Sequence, residues 1–273
     1  MRTIRACVVQ SAVTLFDRDA NRERALRAAD EALSTGADLV VLPELANAGF
    51  LECGDVDRHV RFSEQAETAA GPFVSGLREV AAGRGHVAAG FLEQGAPPTG
   101  RLFNSLALTC PDGTLHVYRK THLPRNEKLL FTRGNELQPV ETELGAVGLL
   151  VCADNSFPEA ARTLALRGCE VLVVSLAAGR LPNPSLYSSI AVTRAYENQV
   201  YVVSANQAGP SETGVFAGNS TIAAPDGTLL AELDEAEGSA HAVLDPELLR
   251  RERLRQTRYA DRRADLYGPL AAT

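Results

Sequence analysis

The stretch GLLVCADNSFPE, residues 148–159, joins an apolar strand pattern to the start of a helix. Residues 148–151 are apolar and precede Cys152, and Pro158 occupies the position expected for a first helical residue. The free backbone amides of a helix start, and the positive end of its dipole, can favour a thiolate and a developing oxyanion. The stretch therefore predicts an α/β unit with a cysteine in a position suited to nucleophilic chemistry.

The same alternation of strand and helix patterns extends along the chain. Short apolar or β-branched runs typical of buried strands occupy residues 6–9, 38–42, 86–91, 105–108, 147–151, 171–175, 200–205 and 220–223. Helical patterns occupy residues 19–34, 66–83, 158–167 and 185–197. This alternation predicts an α/β fold. Pro-Asp-Gly turns at 111–113 and 225–227 indicate antiparallel hairpins, so we expect mixed sheets.

Composition favours a soluble globular protein. Of the 273 residues, 45% are hydrophobic and 22% are charged, and the net charge of -7 opposes binding to nucleic acid or to an anionic membrane. No low-complexity linker divides the chain, so residues 1–273 are interpreted as one domain. Its C-terminal tail, from about residue 250, is expected to pack on a partner subunit or to lie extended. The arginines at 250–255 are interpreted as a solvated helix face.

No motif in the sequence indicates a metal site, a nucleotide-binding site, secretion or a membrane span. The five cysteines form no CxxC pair, and the chain has no P-loop and no GxGxxG opening a helix, so we predict neither a metal nor a nucleotide cofactor. The N-terminal residues do not resemble a secretion signal, and no run approaches the roughly 20 apolar residues that span a bilayer. We expect a cytoplasmic protein. The other cysteines, Cys7, Cys53, Cys110 and Cys169, are interpreted as ordinary buried or loop thiols.

Two charged residues end strand patterns elsewhere in the chain. Glu44 follows an apolar run, and a carboxylate buried there would have a raised pKa that suits a general base. Lys120 lies where a strand pattern gives way to a loop, and a fixed cation there could stabilise an oxyanion. Taken alone, each residue is also explained by a purely structural role: Glu44 as a salt-bridged glutamate, Lys120 as a surface lysine and Cys152 as a buried thiol.

Taken together, these positions resemble a known family. The segments LPE (42–44), YRKTHL (118–123) and CADNSFPE (152–159) resemble, in order and approximate spacing, the three signature motifs of the nitrilase superfamily, the carbon-nitrogen hydrolases. The resemblance continues through RAYENQ (194–199), GNS (218–220) and DRRADLY (261–267). It implies a four-layer αββα sandwich and a homodimer or higher homo-oligomer that pairs through the helices after the nucleophile.

The resemblance also implies a mechanism. Cys152 attacks the carbonyl or nitrile carbon, while Glu44 takes its proton and later activates water against the thioester. Lys120 and the backbone amide of Ala153 stabilise the oxyanion, and Glu127 is similar to the family's second glutamate, which orients the lysine or relays protons. A base, a thiolate and a cation are the groups that acyl transfer requires. Asp154 and Glu159 are interpreted as residues that cap the helix or fix the turn.

The substrate is less closely defined. Ala153-Asp154 stand where true nitrilases tend to have an aromatic residue and a glutamate, which favours the amidase-like branch: amidases, ω-amidases and N-carbamoyl amidohydrolases. By family position Ala177, Ala178 and Arg180 line the pocket, and Arg180 either meets a substrate carboxylate or faces solvent. An aromatic content of 5% favours a small aliphatic amide. Nitrile hydrolysis by the same residues, and a non-catalytic binding role, are the alternatives.

Overall fold

Two six-stranded sheets lie face to face at the centre of the molecule. A computed structural model describes residues 1–52, 54–183, 185–212 and 214–271, so Cys53 lies outside the described residues. The strands are β1 (Ile4–Gln10), β2 (Leu39–Val41), β3 (His86–Gln94), β4 (Leu102–Thr109), β5 (Leu115–Arg119), β6 (Val140–Thr142), β7 (Gly145–Val151), β8 (Val171–Leu176), β9 (Tyr201–Asn206), β10 (Thr221–Ala223), β11 (Leu229–Glu232) and β12 (Gly238–Leu244). The sheet orders are β12-β1-β2-β3-β4-β5 and β11-β10-β9-β8-β7-β6.

Helices cover the outer face of each sheet. They are α1 (Arg18–Ser34), α2 (Val56–Ser63), α3 (Pro72–Ala81), α4 (Glu127–Leu130), α5 (Pro158–Leu166), α6 (Leu186–Asn198) and α7 (Pro246–Arg255), with 3₁₀ helices at Cys152–Ser156, Ala264–Leu266 and Gly268–Ala271. Apolar residues of α1 and α3 pack on the first sheet, and those of α5 and α6 pack on the second. The predicted four-layer αββα sandwich with mixed sheets is confirmed.

Successive side chains of a strand point to opposite faces of the sheet, and this explains why the predicted strand segments are apolar throughout. In β1, Ala6 and Val8 face the second sheet, while Cys7 and Val9 face α1 and α3. Both faces of the strand are therefore buried, and neither tolerates a regular polar position. The same holds for β7, β8 and β9, which pair in parallel at the centre of the second sheet.

Strand direction brings several loops to one edge of the sandwich. In the first sheet β2 and β3 run parallel, β4 is antiparallel to β3, and β5 is antiparallel to β4. The chain therefore leaves β2 and β5 at the same edge, and it leaves the parallel strands β7 and β8 at one edge of the second sheet. Side chains that follow these strands converge there, as at the carboxyl ends of other α/β sheets.

All eight strand runs and both hairpins expected from the sequence are present. The helical pattern at 66–83 starts later than predicted: α3 begins at Pro72, and the carboxylate of Glu67 accepts a hydrogen bond from the Phe73 amide at 2.8 Å in its first turn. The basic segment 250–255 is helical as expected. However, the segment is not solvated throughout: Glu252 is buried, and Arg253 is half-buried and donates to the backbone carbonyls of Gln199 and Cys169.

Within the described ranges, no helix combines the length and the apolar character that crossing a membrane requires.

Candidate active site

Lys120 lies at the centre of the convergent edge, fully buried between two carboxylates. Its Nζ donates to Glu44 Oε1 at 2.9 Å and to Glu127 Oε1 at 2.8 Å. Its backbone amide donates to the carbonyl of Asn104 at 2.8 Å, which extends the β4–β5 pairing by one residue and fixes where the side chain enters. Burial lowers the pKa of Lys120, but the facing carboxylates raise it more, so the net shift is upward and the ammonium persists.

Glu44 has a donor on each of its carboxylate oxygens. Oε1 accepts from Asn104 Nδ2 at 2.6 Å as well as from Lys120, and Oε2 accepts from the backbone amide of Ala177 at 2.7 Å. Its own carbonyl accepts from Gln207 Nε2 at 2.8 Å. Donors from both sheets therefore hold the carboxylate, so its orientation does not depend on one loop.

The backbone around Glu44 is tightly constrained. A Cβ atom at Gly90, in β3, would lie 2.5 Å from Glu44 Cα, so only glycine permits this approach. The next residue, Leu45, is fully buried and has a positive φ of 50°, a conformation that costs a non-glycine residue free energy. Strain of this kind is common where a functional side chain must be held in one direction.

Glu127 begins the short helix α4 and is buried beside Lys120. Burial, opposed by Lys120 and reinforced by Glu44, raises the pKa of Glu127 to about 7. Its Oε2 is buried and has no hydrogen-bond partner among the described residues. The ammonium of Lys120 thus faces two buried carboxylates, and Glu127 accepts fewer hydrogen bonds than Glu44 does.

Cys152 follows β7 with a positive φ of 45° and begins a 3₁₀ turn rather than the helix itself. The helix α5 starts only at Pro158, as predicted. Burial, together with Glu44, raises the pKa of the Cys152 thiol in spite of Lys120. This upward shift opposes the expectation that a helix start favours the thiolate, so a base is needed to remove the thiol proton. Ala153 is the second residue of the same turn.

Asp154 holds this turn against the loop after β5, the supporting role expected for it. The carboxylate is fully buried and accepts from Tyr118 Oη at 2.7 Å, from the Val151 amide at 3.1 Å and from His122 Nδ1 at 2.7 Å. Burial alone would raise the pKa of Asp154, but these hydrogen bonds outweigh it and the net shift is downward. The loop carrying Lys120 and the turn carrying Cys152 are thereby joined.

The residues expected to line the pocket follow β8. Ala177 and Ala178 are buried; the Ala177 amide bonds Glu44, and the Ala178 amide donates to Asn206 Oδ1 at 2.9 Å. Arg180, by contrast, is exposed, and its guanidinium binds both carboxylate oxygens of Glu235. The structure thus brings Glu44, Lys120, Glu127 and Cys152 together with Ala177, and leaves the Arg180 side chain at the surface.

Sequence reasoning missed two supports of the site. Asn104 binds Glu44 from the middle of β4, and Arg194 donates through Nε and Nη2 to the carbonyl of Asn155, behind the 3₁₀ turn. A signal existed for Asn104, because it is an amide side chain in a mostly apolar strand, where burial requires a hydrogen-bond partner. Among the described residues, no group of three or more His, Cys, Asp and Glu side chains could hold a metal ion.

Comparison with known proteins places this arrangement in context. The chain is 33% identical to an (R)-stereoselective amidase from Pseudomonas sp, with 94% of this chain and 92% of the relative covered. It is 31% identical to Omega-amidase NIT2 from Homo sapiens, covering 98% of each chain. Its fold is similar to that of a mutant of Nesterenkonia AN1 amidase from the nitrilase superfamily, with a TM-score of 0.82, 27% identity and coverage of 98% and 97%.

A second solved structure, a carbon-nitrogen hydrolase from Helicobacter pylori G27, is similar with a TM-score of 0.83 and 26% identity over 99% of each chain. The family model described as "Carbon-nitrogen hydrolase" matches residues 5–254 of this chain. That range includes both sheets, except for the first residue of β1, and every residue of the cluster around Lys120. The protein therefore belongs to the carbon-nitrogen hydrolase family.

Proposed function

We propose that this protein hydrolyses the carbon-nitrogen bond of a small amide through a thioester on Cys152. The observation that carries the proposal is the buried contact of Lys120 with both Glu44 and Glu127, next to a cysteine held at a strained position. A buried ammonium between carboxylates is expensive to maintain for stability alone, since apolar residues of the same volume would pack as well. A catalytic role explains the buried ammonium of Lys120 better than a stabilising role does.

In the first half-reaction, Glu44 takes the proton of the Cys152 thiol as sulfur attacks the substrate carbonyl carbon. The carbonyl oxygen becomes an oxyanion, which Lys120 and the amide of Ala153 stabilise. The proton then passes to the departing nitrogen, the carbon-nitrogen bond breaks, and ammonia leaves behind a thioester. Because the upward shift of the Cys152 pKa disfavours the thiolate, this step needs a base, the role that we assign to Glu44.

In the second half-reaction, Glu44 takes a proton from water, and the resulting hydroxide attacks the thioester carbon. The carbon-sulfur bond breaks, the acid leaves, and the proton returns to sulfur. Lys120 again stabilises the oxyanion. Glu127 holds the lysine in place and, with a pKa of about 7, can give or accept a proton at neutral pH.

The pocket supports a small aliphatic amide as substrate. Ala177, whose amide binds Glu44, and its neighbour Ala178 carry only methyl side chains, which offer no ring for aromatic stacking. A nitrile would be attacked by the same sulfur, so nitriles belong in any substrate panel. We also propose that the enzyme is cytoplasmic and works as a homodimer.

The decisive experiment is ammonia release from a panel of aliphatic amides, ω-amides, N-carbamoyl compounds and nitriles. We expect turnover of at least one amide, and its loss in Cys152→Ala and in Glu44→Gln. Cys110→Ala is the matched control, because Cys110 is a buried thiol at the end of β4 and outside the cluster. Turnover that survives Cys152→Ala would refute the nucleophile, and a nitrile-only profile would refute the amide substrate.

A further inference from the structure

The backbone amide of Ala177 acts on both the proposed base and the proposed nucleophile. It donates to Glu44 Oε2 at 2.7 Å. Burial, the main cause, raises the pKa of the Cys152 thiol, whereas Lys120 and hydrogen bonding from the Ala177 amide lower it. One backbone donor thus favours the anionic form of each of the two groups between which the proton passes. The direction of this N–H is therefore part of the chemistry of the site.

Two hydrogen bonds to the Leu176 carbonyl fix one end of this peptide unit. The Gln207 amide donates to that carbonyl at 3.1 Å, and the Glu44 amide donates to it at 3.2 Å. Because a peptide unit is planar, the Leu176 carbonyl and the Ala177 amide turn together. However, β8 ends at Leu176, and Ala177 and Ala178 belong to no helix or strand. The direction of the Ala177 amide therefore also depends on what holds the chain after it.

Asn206, the last residue of β9, holds the chain after Ala177. It is fully buried and lies opposite Leu176 in the parallel pairing of β8 with β9. Its Oδ1 accepts from the Ala178 amide at 2.9 Å, and its Nδ2 donates to the Ala178 carbonyl at 3.3 Å. That carbonyl also accepts from the Ala217 amide at 2.9 Å, so the Ala178 amide is the group that depends on Asn206. Where the backbone ladder ends, a side chain takes the place of a backbone partner.

Asn206 is itself held by the segment that precedes β10. Its backbone amide donates to Ser220 Oγ at 2.9 Å, and its Nδ2 donates to the Gly218 carbonyl at 2.7 Å. Both polar atoms of the side chain are therefore paired. A buried amide group that is fully hydrogen-bonded has one preferred orientation, so Asn206 presents its Oδ1 to Ala178 from a fixed position.

We infer that Asn206 is a positioning residue: by fixing Ala178, it directs the preceding amide, that of Ala177, at the base and the nucleophile. The inference rests on the proposed function only in naming Glu44 as the base and Cys152 as the nucleophile. The alternative is that Asn206 serves the fold alone. The two roles differ in sign. Without the Ala177 donor the thiolate is less favoured and Cys152 reacts more slowly, whereas a loosened fold exposes the thiol and Cys152 reacts faster.

Alkylation of Cys152 by iodoacetamide measures this difference without relying on hydrolysis. Sulfur bonds to carbon, iodide leaves and the thiol proton passes to Glu44. We expect the rate at Cys152, followed by peptide mass spectrometry at one pH, to fall by about threefold to tenfold in Asn206→Ala. The rate at the buried Cys110, which reports general loosening of the fold, should stay the same. Asn206→Leu, which keeps the side-chain volume and removes the same hydrogen bonds, should give the same fall.

Asn21→Ala is the matched control, because it removes the same kind of contact elsewhere. Asn21 is a buried residue of α1; its Oδ1 accepts from the Thr14 amide at 2.9 Å, and its Nδ2 donates to the Thr14 carbonyl at 2.7 Å. This variant should leave the Cys152 rate unchanged. An equal fall in Asn21→Ala, or an unchanged or faster rate in the Asn206 variants, would overturn the inference. Loss of the native circular dichroism spectrum in both Asn206 variants would assign the residue to the fold alone, which also overturns it.

Hydrolysis gives the second readout. We expect kcat for an amide substrate to fall in Asn206→Ala by about threefold to tenfold, with a smaller change in KM, because the base and the nucleophile lose alignment while the substrate still binds. A raised KM with unchanged kcat contradicts the positioning role and leaves the amidase proposal intact. Absence of amide turnover in the native protein, with the alkylation rate still lowered in Asn206→Ala, overturns the amidase proposal alone.

Discussion

At the scale of single residues, the central question is how one ammonium serves two buried carboxylates. Glu44 accepts hydrogen bonds from Asn104, Lys120 and Ala177, whereas Glu127 accepts one from Lys120 and leaves Oε2 without a partner among the described residues. The proton that the cluster retains near neutral pH therefore belongs on Glu127.

This distribution predicts a pH-dependent stability. The pKa of Glu127 is raised from 4.5 to about 7 in the folded protein, so its folded state binds the proton more tightly than the unfolded chain. The stabilisation is complete below pH 4.5 and is lost as pH rises towards about 7, by roughly 3 kcal/mol. Glu127→Gln should flatten the Tm profile between pH 5 and pH 8 relative to the native protein. The exposed Glu136→Gln is the control, and an unchanged slope in Glu127→Gln would contradict the assignment.

Asn104 provides a second residue-scale prediction. Its Nδ2 donates to Glu44 Oε1 at 2.6 Å, and a hydrogen bond to a charged acceptor is worth about 1.5–3 kcal/mol. Asn104→Ala should lower kcat by about tenfold to a hundredfold, with a smaller change in KM, because the base loses orientation. Ser105→Ala, in the same strand, removes a hydrogen bond to Glu93 instead and should retain activity. Equal losses in both variants would indicate a general strand effect.

Glu44, Lys120 and Cys152 could be picked out from the sequence because each follows a strand pattern, whereas Glu127 was assigned only through the family resemblance. The catalytic roles of the four residues stay predictions. The family resemblance led us to expect that they converge around Lys120, and in the structure they lie together there. The contact of Asn104 with Glu44 was not predicted, because it depends on which strand lies beside Glu44. The Ala177 amide was not assigned to the base either, because a backbone donor carries no residue-type signal.

At the scale of elements, strands were predicted well and their connections less so. A buried strand needs only an apolar run, whereas the start of α3 depends on the side chain of Glu67 and the 3₁₀ turn at Cys152 depends on tertiary contacts with Asp154. Short edge strands such as β6 and β11 are partly exposed and carry little apolar pattern. Their pairing is decided by neighbours far along the chain.

Strand β3 supports an element-scale prediction at Gly90. A Cβ atom there would meet Glu44 Cα at 2.5 Å and the Leu45 nitrogen at 2.7 Å, and backbone atoms cannot move aside as a flexible side chain can. Gly90→Ala should destabilise the protein by about 1–3 kcal/mol and lower activity, because the base is displaced. Denaturant titration and ammonia release measure both effects. Gly268→Ala, where no atom lies within 4 Å of the added Cβ, should leave both unchanged.

At the scale of the whole molecule, some of the exposed apolar residues lie on α5, on α6 and on the C-terminal tail. Leu166 of α5 and Tyr196 of α6 are 47% and 46% exposed. The C-terminal tail packs beside them: the Arg258 guanidinium lies 3.8 Å from the centroid of the Tyr196 ring, and the Tyr259 hydroxyl donates to the Asn198 carbonyl. The tail also contributes Leu266, Tyr267 and Leu270, which are at least 40% exposed. Exposed apolar patches are found at protein–protein interfaces more often than on surfaces that stay in contact with solvent.

This surface leads to the prediction that the protein is a homodimer in solution, with α5, α6 and the tail at the interface. Light scattering coupled to size exclusion should give about twice the chain mass of 29.1 kDa. Leu166→Asp should shift the species towards the monomer, because a carboxylate would be desolvated at the interface. Val56→Asp, on the 75% exposed Val56 of α2, should leave the dimer intact. A monomer at every concentration would contradict the prediction, and a dimer equally sensitive to both substitutions would locate the interface elsewhere.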